Sequence, residues 1–366
     1  MRKIFSLIFV FLLLAPAAVW LIDLDFDLQL DRIGLKPPRF DGRALFNNEY
    51  YRSFDQYFND NFSLRSPLIL TKRWLDYRIF HMTDVKGVHV GTNGWLYSRQ
   101  SIDDYRKEAC DRMQNIERLV LELHAIEKMI ESTGRRFFFI VAPSKSTIYP
   151  EYVGFVPQST TCNRSQYDLL LETVGFHPIK SFVRLEQLLQ DAKKNHALLY
   201  DKTSTYWNDL GAMVAADAIQ TQIIQDDGQK RGFDYKPRDV TGTGDLARRL
   251  MGFLSGADDV AVTQLSSSGQ SEFSSAIVYG DDFIDILIPY LTQIFSQLEV
   301  IRADSIPSRQ YGENLHASDL ILLERAESEL ETIHLEIDNI FSTFEADALI
   351  PVRYRLDLKN SVPGSN

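Results

Sequence analysis

The chain has 366 residues, 45% hydrophobic and 24% charged, the balance of an ordinary globular protein, and its length suits one large α/β domain with extensions or two small ones. A formal net charge of −11 excludes a phosphate-tracking nucleic-acid surface and argues against a strong general pull toward an anionic polysaccharide. Aromatic residues make up 12% of the chain, enough for sugar-stacking platforms, although the same side chains serve any core.

At the N-terminus, Arg2 and Lys3 precede an uncharged apolar run from Ile4 to Ile22, and Asp23, Asp25 and Asp27 follow it. About nineteen residues at 1.5 Å each nearly match a ~30 Å hydrocarbon core, so the run reads as a single-pass anchor with its positive end inside. The rival reading is a cleaved signal peptide, with Ala15 and Ala17 as the small pair beside Pro16. Either reading exports the rest of the chain. Residues 1–22 are therefore expected to be an anchor or signal segment, and residues 23–80 a connector and helical lead-in.

Within that lead-in, Phe54, Tyr57, Phe58 and Phe62 recur at three- and four-residue spacing, which predicts a helix with one apolar face. A second helix is expected over 66–80, opened by Ser66 and Pro67. Strand-like alternation from Gly87 to Tyr97 is interrupted by Asn93-Gly94, a hairpin-turn signal. The two cysteines, Cys110 and Cys162, read as one disulfide in an oxidising compartment or as two separate buried thiols; no histidine spacing around them makes a zinc site.

From about residue 114 helices and strands alternate. An amphipathic helix over 114–132 ends at Gly134, and the apolar run Phe137 to Ala142 is a buried parallel strand. Helices are expected at 164–174, 209–226 and 283–297. Strands are expected at 197–200, 276–279, 299–301 and 320–323, and an antiparallel piece at 331–357. The pattern predicts an α/β fold, a doubly wound, mainly parallel sheet with helices on both faces, spanning residues 81–335 and followed by a C-terminal extension over 336–366.

Ligands of such sheets sit at the carboxyl ends of strands. Three segments qualify: Tyr279-Gly280-Asp281-Asp282-Phe283, Asp201 to Asn208, and Pro143 to Pro150. Several stretches then resemble the alginate O-acetylation family of the AlgJ and AlgX type, whose domain is SGNH-hydrolase-like. These are Phe54 to Arg65, Val90 to Tyr97, Pro143-Ser144-Lys145 with Tyr149-Pro150, Gly244-Asp245-Leu246-Ala247, and Glu324-Arg325, in order over roughly residues 50–330.

The resemblance implies an acyltransferase in which an Asp-x-His pair followed by Trp activates a serine in a Gly-Asp/Thr-Ser-Phe turn. The serine carries acetyl to a sugar hydroxyl, the histidine is the base, and the aspartate orients it. In this chain those positions hold Ser204, Tyr206 and Asp282. An ordinary tyrosine titrates near 10 and is a poor base at neutral pH. Asp282 reads either as an unusual carboxylate nucleophile or as a helix cap.

Lys145, Tyr149, Trp207 and Asn208 are the candidate cleft residues, Lys145 being otherwise a surface lysine, with Trp95 and Tyr97 as further rings. Asp281, Asp282 and Asp285 lack the oxygen-rich loop of a hard-metal site, and no cofactor is expected. The resemblance implies a bacterial inner-membrane protein facing the periplasm, active in exported-polysaccharide O-acetylation. Its partners would be polysaccharide or other biosynthesis membrane proteins. The triad substitutions favour a catalytically silent binding relative, with an active O-acetyltransferase or acetylesterase of atypical catalytic set as the alternative.

Overall fold

The computed structural model describes Ser6, Phe9, Val10 and residues 35–40, 48–62, 65–195, 198–223, 233, 237–252, 258–263, 273–302, 318–334, 336–338 and 340. They fall in two compact units, Met1–Val85 with Ala247–Gly256, and Lys86–Leu246 with Ala257–Asn366.

The first unit contains α1 (Asn48–Asn61) and α2 (Arg65–Leu75), the latter running on into a π-turn over Asp76–Phe80. Asp60 is the buried residue of α1, and its carboxylate accepts the Leu35 amide at 3.0 Å. Ser66 lies inside α2, and its buried hydroxyl has no partner among the described residues, so it is not the cap expected there.

The second unit opens with the hairpin β1 (Val88–Val90) and β2 (Leu96–Ser98), paired antiparallel. Asn93 and Gly94 both take positive φ, 54° and 81°, and the Trp95 amide donates to the Thr92 carbonyl at 3.0 Å, as the Asn-Gly signal requires. Next come α3 (Arg99–Tyr105), α4 (Met113–Ser132), β3 (Arg136–Ala142), the short α5 (Lys145–Ile148), and α6 (Gln166–Phe176), which begins with a Ser165/Asp168 capping box. Then follow β4 (Phe182–Arg184), α7 (Leu185–Asn195), α8 (Asp209–Ile223), β5 (Pro237–Gly242), α9 (Asp245–Met251, shared between the units) and β6 (Asp258–Thr263). The last elements are β7 (Phe273–Gly280), α10 (Phe283–Ile294), β8 (Phe295–Arg302) and β9 (Leu320–Ala326).

The central sheet has the order β4-β3-β9-β7-β8 with every pairing parallel. Alternate residues feed opposite faces, as strand geometry demands. Phe138, Ile140, Val278 and Leu322 pack with α7, α8 and α10, whereas Phe137, Phe139, Ile277 and Leu323 pack with α4 and α6. Two antiparallel pairs, β1-β2 and β5-β6, stand beside it. The architecture is therefore α/β with mixed sheets, and the β5-β6 pair, β4 and α7 have no counterpart in the sequence reading. The strand expected at 197–200 is a single bridge between Tyr200 and Trp207. The helix expected to reach 297 ends at Ile294, because Phe295 already pairs in β8. Of the antiparallel piece expected over 331–357, the described residues 331–334, 336–338 and 340 are helix and turn rather than strand, and the rest, toward Ile350–Leu358, lies outside the described residues.

The membrane-spanning anchor is corrected. Among the described residues no helix is long and apolar enough to cross a membrane, and the single-pass inner-membrane placement drawn from the anchor falls with it. The 4–22 run itself lies outside the described residues apart from Ser6, Phe9 and Val10. Length alone does not make a span: α4 has 20 residues, but Glu117, Arg118, Glu122, Glu127, Lys128 and Glu131 interrupt its apolar character.

Candidate functional site

The carboxyl ends of β3, β9 and β7 bring the three expected segments together. After β7, Gly280 lets the chain pass beside β9: a Cβ there would lie 2.9 Å from the Glu324 carboxylate and 3.0 Å from Ile284. Asp281 then accepts the amides of Phe283 (2.9 Å) and Ala326 (2.7 Å), so Asp281 rather than Asp282 ties down the first turn of α10. Asp282 makes no capping hydrogen bond, and that part of the sequence reading is corrected.

Asp282 points instead to the 201–208 loop. The Tyr206 hydroxyl donates to its Oδ2 at 2.6 Å, while Arg302 at the end of β8 forms ion pairs with Asp282 and Asp285. Burial, then the hydrogen bond and charge of Asp282, push the Tyr206 phenol well above its ordinary value, so the ring stays neutral and is no base. The Tyr206 ring meets Phe283 edge-on at 5.0 Å. Ser204 turns away: its hydroxyl lies 3.3 Å from Asp245 Oδ1, and the same carboxylate accepts the Thr205 amide and hydroxyl, each at 2.7 Å. Ser204, Tyr206 and Asp282 thus share one region, but Ser204 does not orient Tyr206.

Beneath them lies a buried frame. Lys145, Tyr149, Trp207 and Asn208 are exposed by only 2, 2, 0 and 3%, so the cleft expected from them is corrected: their side chains point into protein. The Lys145 Nζ donates to the carbonyls of Asp201 (3.2 Å), Lys202 (3.0 Å) and Ser204, over the rings of Tyr97 and Trp95. Tyr149 receives the Leu199 amide at 2.9 Å, and Trp207 Nε1 donates to the Phe283 carbonyl at 3.0 Å. Asn208 caps α8, its Oδ1 accepting the amides of Leu210 and Gly211 at 3.1 Å.

Three residues the sequence reading missed complete the arrangement. Asp245 was visible only as part of Gly244-Asp245-Leu246-Ala247; Gly244 is needed because a Cβ would fall 2.2 Å from the Thr203 carbonyl. Arg302 stands twenty residues beyond Asp282 and carries no local signal. Glu327, following β9, is buried and accepts the Ser144 amide and the Thr147 hydroxyl, each at 2.7 Å.

Several described histidines have partners elsewhere. His89 bonds the Val153 carbonyl, His124 lies near Glu127 and His334 bonds Glu122. His196 and His316 lie outside the described residues. Among the described residues no cluster of metal-ligating side chains forms.

Burial pushes the Glu327 carboxyl up to about 8, with the Asp104 charge adding to it. Because the folded value lies above the unfolded one, this contribution to stability is full at low pH. It shrinks between pH 5 and 8, where only the unfolded chain has released the proton, by on the order of 1 kcal/mol per pH unit. Glu327→Gln is expected to flatten that decline in urea midpoints measured from pH 5 to 9. Parallel curves for the two proteins would mean that another group carries the titration.

With the geometry established, comparison with known proteins places the chain. The family described as "SGNH hydrolase-like domain, acetyltransferase AlgX" matches residues 88–273, just over half of the sequence. The chain belongs to this family. Among curated relatives, "Probable alginate O-acetylase AlgJ" of Pseudomonas aeruginosa is 28% identical over 181 residues, 49% of this chain and 44% of that protein. The AlgJ of Pseudomonas fluorescens is 25% identical over 188 residues, again covering 49% and 44%. The matched region thus spans less than half the length of these curated relatives. The solved O-acetyltransferase domain of Pseudomonas putida AlgJ superposes with a TM-score of 0.53 at 17% identity, covering 71% of this chain and 99% of that domain. At that identity the likeness speaks for the fold, and the SGNH-like family assignment agrees with the parallel sheet and its strand-end site.

Proposed function

We propose that this chain is a catalytically silent member of its acyltransferase-like family, serving exopolysaccharide O-acetylation by binding glycan or a partner protein of the biosynthetic machinery. In this reading Ser204, Tyr206 and Asp282 stand where the acetylating relatives hold aspartate, histidine and serine. The observation that carries it is the 2.6 Å hydrogen bond from the Tyr206 hydroxyl to Asp282. A pair that in a transferase would pass a proton from nucleophile to base is here a neutral phenol donating to a carboxylate, with Arg302 on the other oxygen. Ser204 supplies no charge to support a cationic base, and Asp245 occupies its hydroxyl.

Hydrolysis of an activated acetyl ester by the full chain and by Asp282→Ala tests this. Both proteins are expected to match the uncatalysed rate. Turnover by the full chain that disappears in Asp282→Ala would overturn the silent reading. It would favour the rival, in which the Asp282 carboxylate, its side chain 53% exposed, attacks the ester carbonyl, breaks the ester C–O bond to release the alcohol and leaves a mixed anhydride that water then discharges. That rival also predicts one added acetyl mass on the intact protein.

A further inference from the structure

Glu324 lies toward the carboxyl end of β9 with 0% exposure, beside the turn that carries Asp282. Leu322 faces α7, α8 and α10, and Glu324, two residues on, faces the same side. Its neighbour Arg325 faces the other side of the sheet and is paired with Glu336. Among the described residues the buried cations are Lys145 and Arg325, and Lys145 gives its Nζ to the carbonyls of Asp201, Lys202 and Ser204. Glu324 therefore stands in the interior without an ion pair. A carboxylate is strongly disfavoured in such a place, and the neutral acid is the stable form.

The two Glu324 oxygens have different surroundings. Oε2 accepts the Asp281 amide at 3.1 Å, whereas Oε1 is buried and meets no donor among the described residues. The Asp281 carboxyl is near enough for its charge and a hydrogen bond to act on Glu324. Asp281 is the natural anion of the two, because the amides of Phe283 and Ala326 donate to it at 2.9 and 2.7 Å. Two carboxyls in this relation are satisfied by one proton, carried by Glu324 and accepted by Asp281. The other groups around the pair do not replace it. Asp282 and Glu329 act on Asp281 as further negative charges, and Tyr200, which feels both Glu324 and Glu327, donates to the Pro143 carbonyl. Ile140, the partner of Glu324 in β3, and Ile284 of α10 beside Gly280 bring no charge.

We propose that Glu324 and Asp281 share one proton, and that this proton latches the turn after β7 to β9 and so keeps Asp282 against Tyr206. Glu324 is in this sense a positioning residue, acting on Asp282 through Asp281. When the proton leaves for solvent, two adjacent carboxylates repel one another inside the protein. The turn then loosens from β9, and the Tyr206 hydroxyl loses its fixed acceptor. Burial first, and then Asp281, push the Glu324 carboxyl well above the ordinary glutamate range. Because the folded value lies above the unfolded one, the latch is closed in acid and opens as the pH rises through the folded value. The latch holds whether the site is silent or active, so its failure leaves the proposed function untouched.

Infrared spectra of the full chain in D2O and hydrogen exchange, both followed from about pH 5 to about pH 10, test this. A neutral-acid C=O band is expected that is absent from Glu324→Gln, remains in Glu327→Gln and fades as the pH rises. Over the same range the segments 201–208 and 280–284 are expected to lose at least about tenfold in protection, corrected for the intrinsic exchange rate, while β3 loses less. Glutamine keeps a donor toward Asp281 and does not titrate, so in Glu324→Gln both segments should stay within about twofold throughout. Glu327→Gln is expected to retain the fall. Protection independent of pH in the unmodified chain would overturn the proposal, as would a fall that survives in Glu324→Gln or vanishes in Glu327→Gln. Should Glu324→Gln fail to fold, Glu327→Gln decides alone: an acid band that persists where its protection is lost would overturn the latch, and one that fades in step would support it.

Discussion

Lys145→Met is expected to destabilise the chain by on the order of 3 kcal/mol, read as a lower urea midpoint at unchanged slope. The substitution nearly keeps the side-chain volume, so the loss does not come from a cavity. It comes from the carbonyls of Asp201, Lys202 and Ser204, which converge on the Lys145 Nζ in a buried setting. Each buried acceptor left without a donor costs about 1–3 kcal/mol. The face-on approach to the Tyr97 and Trp95 rings goes as well. The 201–206 loop holds Tyr206 against Asp282, so hydrogen exchange within it should quicken in the variant more than in β3. A change below about 1 kcal/mol would show that water reaches the carbonyls and that Lys145 is no keystone.

Replacing both cysteines by serine is expected to cost about 4 kcal/mol, from the conformational freedom the unfolded chain regains across a loop of this size. Cys110 and Cys162 are joined in a disulfide spanning 52 residues. The bond clamps the segments that precede α4 and α6. Ala109 donates its amide to the Arg164 carbonyl at 3.0 Å, and Arg164 returns its own to Lys107 at 3.1 Å. Both helices pack on the same face of the sheet, so the clamp acts on the core around Leu119, Leu123 and Leu170. Chemical denaturation of the oxidised protein and the double variant measures the difference. A loss under about 1 kcal/mol would show that the segments hold their positions through these backbone bonds and that the unfolded chain is compact already.

The hairpin turn, the buried strand from Phe137 to Ala142 and the long α4 were legible because each is set by residues adjacent in sequence. The turn needs only Asn93 and Gly94 with positive φ, and the strand only an unbroken apolar run. Short β4 was not legible: three residues carry too little period-two signal, and Phe182–Arg184 becomes a strand only because β3 is there to pair with it. The meeting of Asp201–Asn208 with Gly280–Phe283 was legible through the resemblance and the rule that sites gather at strand ends.

The sequence by itself determined the α/β alternation and the strand-end segments, and it singled out Ser204, Tyr206 and Asp282 through a family resemblance. What these three residues touch was decided by the tertiary structure alone. Asp282 meets Tyr206 76 residues away and Arg302 twenty residues on, and Asp281, not Asp282, secures the helix start. Lys145 is a buried organiser rather than a surface charge. The physical reason is common to all of them. Propensity and periodicity report on neighbours within a few residues, whereas burial and pairing of polar groups depend on which distant strands and loops the sheet order brings side by side.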